Sequence, residues 1–307
     1  MCQKMSMENK IIRFVEEKGP TKGSELLDAF GGDGMMLWRT CHLSPHLIIK
    51  RAGSRYLRLD RRVKGFARLS PSILREFLTY SIVGLSGDVN LLEQRVRSLL
   101  SRIEDVNRAK LELAYRTVSS LTGKFDSEWS IRDHGCFLIG GDIVYNMAHD
   151  VPRPERSTGK LVNGSDIDLV VILDDAVPDA LMKRLDDALL EEKYRLLITP
   201  HIREEIDYVV KKVARVREQV RFDTFRHMVA CKILYEGTLL YGNKELFSAI
   251  KAMLRKTGVA KKLDDLEKAA ETFRRDAVRL LLSVDTEKLD RERAFLFYST
   301  EESEEFE

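Results

Sequence analysis

Two carboxylates one residue apart, Asp166 and Asp168, open the run Gly164-Ser165-Asp166-Ile167-Asp168-Leu169-Val170-Val171-Ile172-Leu173. Beyond Asp168 the run is apolar and reads as a buried strand, in which residues two apart share one side of the sheet. Both acids would then project together from one end of a hydrophobic sheet. Like charges held that close need a cation. A hard divalent ion such as Mg²⁺ (or Mn²⁺) takes one or two carboxylates together with the phosphates of a substrate, and two such ions clamp the attacking and leaving oxygens of a phosphoryl displacement. Upstream, Phe137-Leu138-Ile139-Gly140-Gly141-Asp142-Ile143-Val144-Tyr145-Asn146-Met147 reads as strand, glycine turn and helix. Gly140 and Gly141 let backbone N–H groups and a helix N-terminus meet a phosphate with no side chain in the way.

At these residues the sequence resembles the DNA polymerase β-like nucleotidyltransferase superfamily. The pattern of that family is a strand, a Gly-Gly or Gly-Ser turn opening a helix, then a strand bearing Asp-x-Asp. The match extends over about residues 130 to 258. It implies that a nucleoside triphosphate binds with its phosphates at Gly140, Gly141 and Ser165 and its metals on Asp166 and Asp168. The reaction implied is transfer of a nucleotidyl group to a hydroxyl with release of pyrophosphate. One departure is the insert from about His149 to Asn163, longer than the family usually places between the two halves; Arg153, Arg156 and Lys160 make it a candidate substrate loop.

The family supplies a third carboxylate from a later strand. Asp207, in Glu205-Ile206-Asp207-Tyr208-Val209-Val210, has the apolar-acid-apolar form and is the candidate third catalytic and metal-binding residue, with Glu205 as the same-face alternate. Against this, Ile206, Val209, Val210, Val213, Val216 and Val220 recur at steps of three and four, as on an amphipathic helix. The strand would then be Tyr194 to Thr199, which carries no acid, and Asp207 would open a helix, where the dipole favours it. Both readings stand at the level of sequence.

The elements around this site make up more than one domain, since 307 residues exceed a typical single domain. Residues 8 to 62 read as three helices and a hairpin: a first helix closed by Gly19-Pro20, a second from Ser24 to Phe30, a third from about Asp33 to Leu43, then an alternating hairpin from Leu47 to Leu59 with a Gly53-Ser54 turn. This order resembles the winged-helix domains of transcription regulators. Lys50, Arg51, Arg55, Arg58 and Arg61, with Arg62 and Lys64, put seven basic residues in fifteen against the single acid Asp60. Such a cluster is the footprint of DNA or RNA contact, and the plain alternative is a solvated hairpin.

The expected division is a winged helix over 1–70, a helical connector over 71–125, a nucleotidyltransferase core over 126–221, a helical part over 222–299 and an acidic tail over 300–307. In the connector, Asn90 to about Leu121 reads as one long helix, a structural link or a homodimer contact. Later helices are expected over Asp179–Glu192, Thr224–Tyr235, Lys244–Lys256 and Lys262–Leu282. The fold class is α/β (α+β) with a mixed sheet.

Composition excludes several classes. Lys and Arg number 51 against 49 Asp and Glu, so the net charge of +2 makes no global claim about polyanion partners. Cys2, Cys41, Cys136 and Cys231 stand singly, which argues against a zinc site or a disulfide framework and fits a reducing cytoplasm. The N-terminus has no apolar signal core and no run approaches the ~20 apolar residues of a membrane span, so a soluble cytoplasmic protein with no membrane partner is expected. Thr158-Gly159-Lys160 is not a phosphate-binding P-loop, because Pro154 stands at the first glycine position and Leu161 follows the lysine. Three functions fit: a nucleotidyltransferase acting on nucleic acid or protein, a DNA-binding regulator whose degenerate nucleotidyltransferase fold senses a nucleotide, and an antitoxin-like partner that nucleotidylates another protein.

Overall fold

The computed structural model describes residues 6–125, 129–155, 158–284 and 295–298. Arg156 and the acidic tail lie outside the described residues. The chain is mixed α/β, 58% helical and 18% strand, in line with the α+β expectation. It divides into two compact units, one of Met1–Arg58, Ala67–Ile103 and Ala269–Glu307, the other of Leu59–Phe66 and Glu104–Lys268.

In the first unit α1 (Met7–Lys18), β1 (Thr21–Lys22), α2 (Gly23–Phe30), α3 (Gly34–Leu43) and β2 (Leu47–Arg51) are followed by β3 (Tyr56–Leu59), β4 (Ala67–Ser70), α4 (Ile73–Tyr80) and β5 (Ser81–Leu85). Local chemistry sets the helix ends: the Ser6 hydroxyl accepts from the Asn9 N–H at the start of α1, and the Asp33 carboxylate accepts from the Met35 N–H at the start of α3. Ile11, Leu26, Leu37, Trp38, Phe77 and Val83 form the core with Leu281 and Phe297. The hairpin expected over Leu47 to Leu59 does not form. β2 instead pairs antiparallel with β5, Leu47 opposite Leu85 and Arg51 opposite Ser81, giving the order β1-β5-β2, while β3 pairs with β4. The alternating pattern of 47–51 was a true strand signal, but its hydrogen-bond partner lies some thirty residues downstream, where no turn signal points to it.

α5 (Val89–Gly123) is the long helix expected from Asn90. Its residues up to Ile103 belong to the first unit and those from Glu104 to the second.

The second unit continues with α6 (Ile131–His134), β6 (Gly135–Ile139), α7 (Gly141–Val144), β7 (Pro152–Pro154), β8 (Leu161–Asn163), β9 (Ile167–Leu173) and α8 (Asp179–Ile198). β10 (Ile206–Lys212), α9 (Val213–Gln219), α10 (Phe225–Glu236), β11 (Thr238–Gly242), α11 (Lys244–Lys256) and α12 (Val259–Ser283) follow. The central sheet has the order β10-β9-β6-β11, with β9 and β10 parallel and the other pairs antiparallel. Ile167, Leu169, Val171 and Leu173 alternate along β9 and share a core with Leu181, Leu185 and Leu189 of α8 and Ile206 of β10. The opposite face therefore carries Asp168, Val170 and Ile172 of β9 and Asp207, Val209 and Lys211 of β10. The alternative strand at Tyr194 to Thr199 is overturned: 194–198 is the last stretch of α8, where Leu196 and Leu197 are buried. Among the described residues no helix is long and apolar enough to cross a membrane.

Candidate active site

β9 and β10 run in register with Asp168 opposite Asp207, so the two carboxylates are neighbours near the N-terminal ends of adjacent parallel strands. Asp166 lies one residue before β9, in a turn that only glycine can enter. Gly164 has φ +64°, and a Cβ there would stand 2.0 Å from the His149 carbonyl oxygen.

The Gly140-Gly141 turn is packed directly on this pair. The Gly140 N–H donates to the Asp168 carbonyl at 2.9 Å, and Gly141 has φ +62° with space so short that a Cβ would lie 1.9 Å from Asp168 Oδ2. Asp168 is half-buried, and its pKa is pushed up to about 7, first by burial and then by the charges of Asp142, Asp207 and Glu236; Lys232 opposes them. Asp168 and the acids whose charges reach it, Asp142, Asp207 and Glu236, offer only oxygen, and in that donor chemistry they fit a hard divalent cation.

Four cations meet these acids. Arg153, on β7 in the insert, ion-pairs Asp166 and reaches Glu205 Oε2 at 2.9 Å, while its Nε donates to the Gly164 carbonyl at 2.8 Å. Lys193 of α8 lies 2.8 Å from Asp207 Oδ1 and 3.9 Å from Glu205 Oε1. Lys232 and Glu236, one turn apart on α10, form an ion pair. Glu236 is buried over the glycine turn, accepting from the Tyr145 hydroxyl at 2.7 Å and the Gly141 N–H at 3.4 Å. Lys110, buried, completes the set by pairing with Glu204 and donating to the Asn163 carbonyl at 2.6 Å. With Asp166 turned to Arg153 and Asp207 to Lys193, no three His, Cys, Asp or Glu side chains among the described residues are gathered as a ready metal-ligand set.

The structure thus brings together Gly140, Gly141, Asp168 and Asp207, while Asp166 is paired with Arg153, which also holds Glu205. Ser165 lies beside them but is buried, its hydroxyl donating to Asp142 Oδ2 at 2.6 Å and accepting from the His149 N–H at 3.2 Å. Asp142, Tyr145, Lys193, Lys232 and Glu236 were not singled out from sequence. The signals that existed were Asp142 directly after the glycine pair and the Lys232/Glu236 spacing of four on a helix.

The basic residues proposed for nucleic acid have varied surroundings. Lys50, on β2, lies 2.7 Å from Glu93. Arg55 grips Glu76 through two hydrogen bonds of 2.5 and 2.6 Å, and Arg51 and Arg274 approach the same carboxylate at 3.7 and 3.3 Å. Burial alone would raise the Glu76 pKa, but the Arg55 hydrogen bond and the three guanidinium charges outweigh it and hold the carboxyl below its usual range. Arg58 is half-buried on β3. In the second unit Arg61 lies over the Phe225 ring, 4.8 Å from its centroid.

Comparison of the chain with protein-family models, with curated proteins and with solved structures finds no match to any of them.

Proposed function

We propose that the second unit is a metal-dependent nucleotidyltransferase of the DNA polymerase β-like kind, which moves a nucleotidyl group from a nucleoside triphosphate to a hydroxyl of a nucleic acid or a protein. The observation that carries this reading is the register of Asp168 with Asp207 at the ends of two parallel strands, with Gly141 closed against Asp168. Asp166, Asp168 and Asp207 would hold Mg²⁺ or Mn²⁺, which supplies charge neutralisation at the transferring phosphate. Gly140 and Gly141 put no side chain in the way of a phosphate, and the Gly141 N–H, which among the described residues makes only the long 3.4 Å contact to Glu236, is the donor a phosphate oxygen would take over. Asp207, whose side chain is 52% exposed, is the carboxylate an incoming hydroxyl meets, and it accepts the proton of that hydroxyl. Arg153 and Lys193 neutralise the acids before substrate arrives and are then available to phosphate.

In the first unit we read α1 to α3 with the sheet β1-β5-β2 as a winged helix, with β3, β4 and α4 inserted between its last two strands. Lys50, Arg51, Arg55 and Arg58 are its proposed contacts to DNA or RNA; Arg61, proposed with them, belongs to the second unit.

One observation favours a second reading, the nucleotide-sensing regulator: Asp166 and Asp207 are each engaged in an ion pair, with Arg153 and with Lys193. Incubating the purified chain with each labelled nucleoside triphosphate and Mg²⁺ against RNA, DNA and cell lysate separates the readings. Label on nucleic acid supports the transferase, label on a protein supports the antitoxin-like variant, and salt-dependent DNA binding without turnover supports the regulator.

A further inference from the structure

The face that carries Asp168 and Asp207 continues into a cleft of about 340 Å³ within the second unit. That volume lies in the range of small-molecule sites. The next residues along the two strands, Val170 and Val209, line it, and Val229 and Ile233 of α10 line it from the other side. Lys211, four residues beyond Asp207 and so about 13 Å along the strand on the same face, also lines it. Phe225 adds an aromatic ring, with the Arg61 guanidinium stacked on it.

Lys211 is the unusual group. It is 6% exposed, and among the described residues no carboxylate pairs with it. Its Nζ donates to Gln219 Oε1 at 2.9 Å, its one hydrogen-bond partner there. An ammonium has three donors, so two are unfilled in an apolar wall, at a cost that a ligand acceptor would relieve. Burial drops the amine to about 8, yet at neutral pH it is still largely charged. Because Gln219 gives its oxygen to Lys211, its Nε2 is a second donor on a residue that lines the cleft. Lys211 and Gln219 therefore present two neighbouring donors beside the valines, and Arg61 and Arg226 also line the cleft.

We propose that this cleft is the base subsite of the nucleotide and that Lys211 and Gln219 select guanine. Guanine shows two adjacent acceptors, N7 and O6, on one edge, whereas adenine shows an acceptor beside a donor, N6–H₂, that clashes with a two-donor wall. Phe225 and the valines meet the base faces, which every base offers equally and which therefore supply affinity without selection. The inference rests on the nucleotidyltransferase reading and adds the identity of the base.

The test is calorimetric binding of GTP, ATP, CTP, UTP and inorganic tripolyphosphate to the full chain, with Mg²⁺, in wild type, Lys211→Met and Gln219→Leu. Wild type should bind GTP about tenfold or more tighter than ATP. Lys211→Met should bring GTP to within about twofold of ATP and leave tripolyphosphate binding unchanged. Thermal unfolding of the variants, expected to be as cooperative as wild type, excludes a folding defect as the cause. A wild-type preference for any other base, no base preference at all, or a GTP preference that survives both substitutions overturns the assignment while nucleotide binding itself stands. Binding of neither tripolyphosphate nor any nucleotide overturns the nucleotidyltransferase reading together with it.

Discussion

Asp207 stands beside Asp168 across the ladder between β9 and β10, two acids on neighbouring parallel strands with their side chains on one face. Both lie on the face away from the core shared with α8, and their mutual repulsion contributes to the raised pKa of Asp168. Under the proposed function, this pair of like charges is what the Mg²⁺ or Mn²⁺ ion would neutralise.

Gly141→Ala should damage the site and the fold together. The added methyl would strike Asp168 Oδ2 at a backbone angle that alanine resists. The expected loss is more than about 1 kcal/mol in denaturant unfolding, accompanied by loss of nucleotide binding. Unchanged stability and binding would show that the turn does not press on the carboxylate.

Glu76→Ala should destabilise the first unit by about 3–5 kcal/mol, because it leaves Arg274 buried without its acid. The pH dependence has a definite sign. Glu76 is held below its usual pKa, so its contribution is present above the unfolded value of ~4.3 and is lost as pH falls through the lower folded value. Unfolding of wild type and variant should therefore converge in acid and separate toward neutrality.

Lys211→Met should stabilise the protein by on the order of 2 kcal/mol at pH 7. The folded pKa, about 8, lies below the ~10.4 of an unfolded lysine, so wild type carries the full penalty below pH 8 and regains stability as pH climbs through that window. The gap between variant and wild type should close by about pH 10.4 in thermal unfolding. A destabilised Lys211→Met at pH 7 would mean that the amine is satisfied where it lies.

If the first unit binds a duplex, Lys50→Gln with Arg58→Gln should weaken binding and flatten the salt dependence, by about 0.9 log units for each phosphate left without its cation. Arg55 is left out of this test because its loss would also disturb the cluster around Glu76. Titration at several salt concentrations reads the slope, and an unchanged slope would remove these two residues from the interface.

The strand bearing Asp168 and the glycine turn were legible because their signals are local: an apolar run of strand length and a paired glycine before a helix. Asp207 was ambiguous for a physical reason. β10 ends at Lys212 and α9 begins at Val213, so one apolar series is read half as strand and half as helix, and its three- and four-residue steps mimic a single helix. Arg153, Lys193 and Glu236 were not readable as partners, since they reach the acids from a hairpin, from α8 and from α10, and only tertiary packing sets those distances. The same holds for β2, whose true partner β5 lies beyond an entire hairpin and helix.

The most direct test of the account is Mg²⁺-dependent transfer of labelled nucleotide by wild type, Asp168→Asn and Asp207→Asn. The account predicts product with wild type, none detectable with Asp168→Asn, and a rate lower by orders of magnitude with Asp207→Asn, although that variant still binds nucleoside triphosphate. Turnover that survives both substitutions would contradict it.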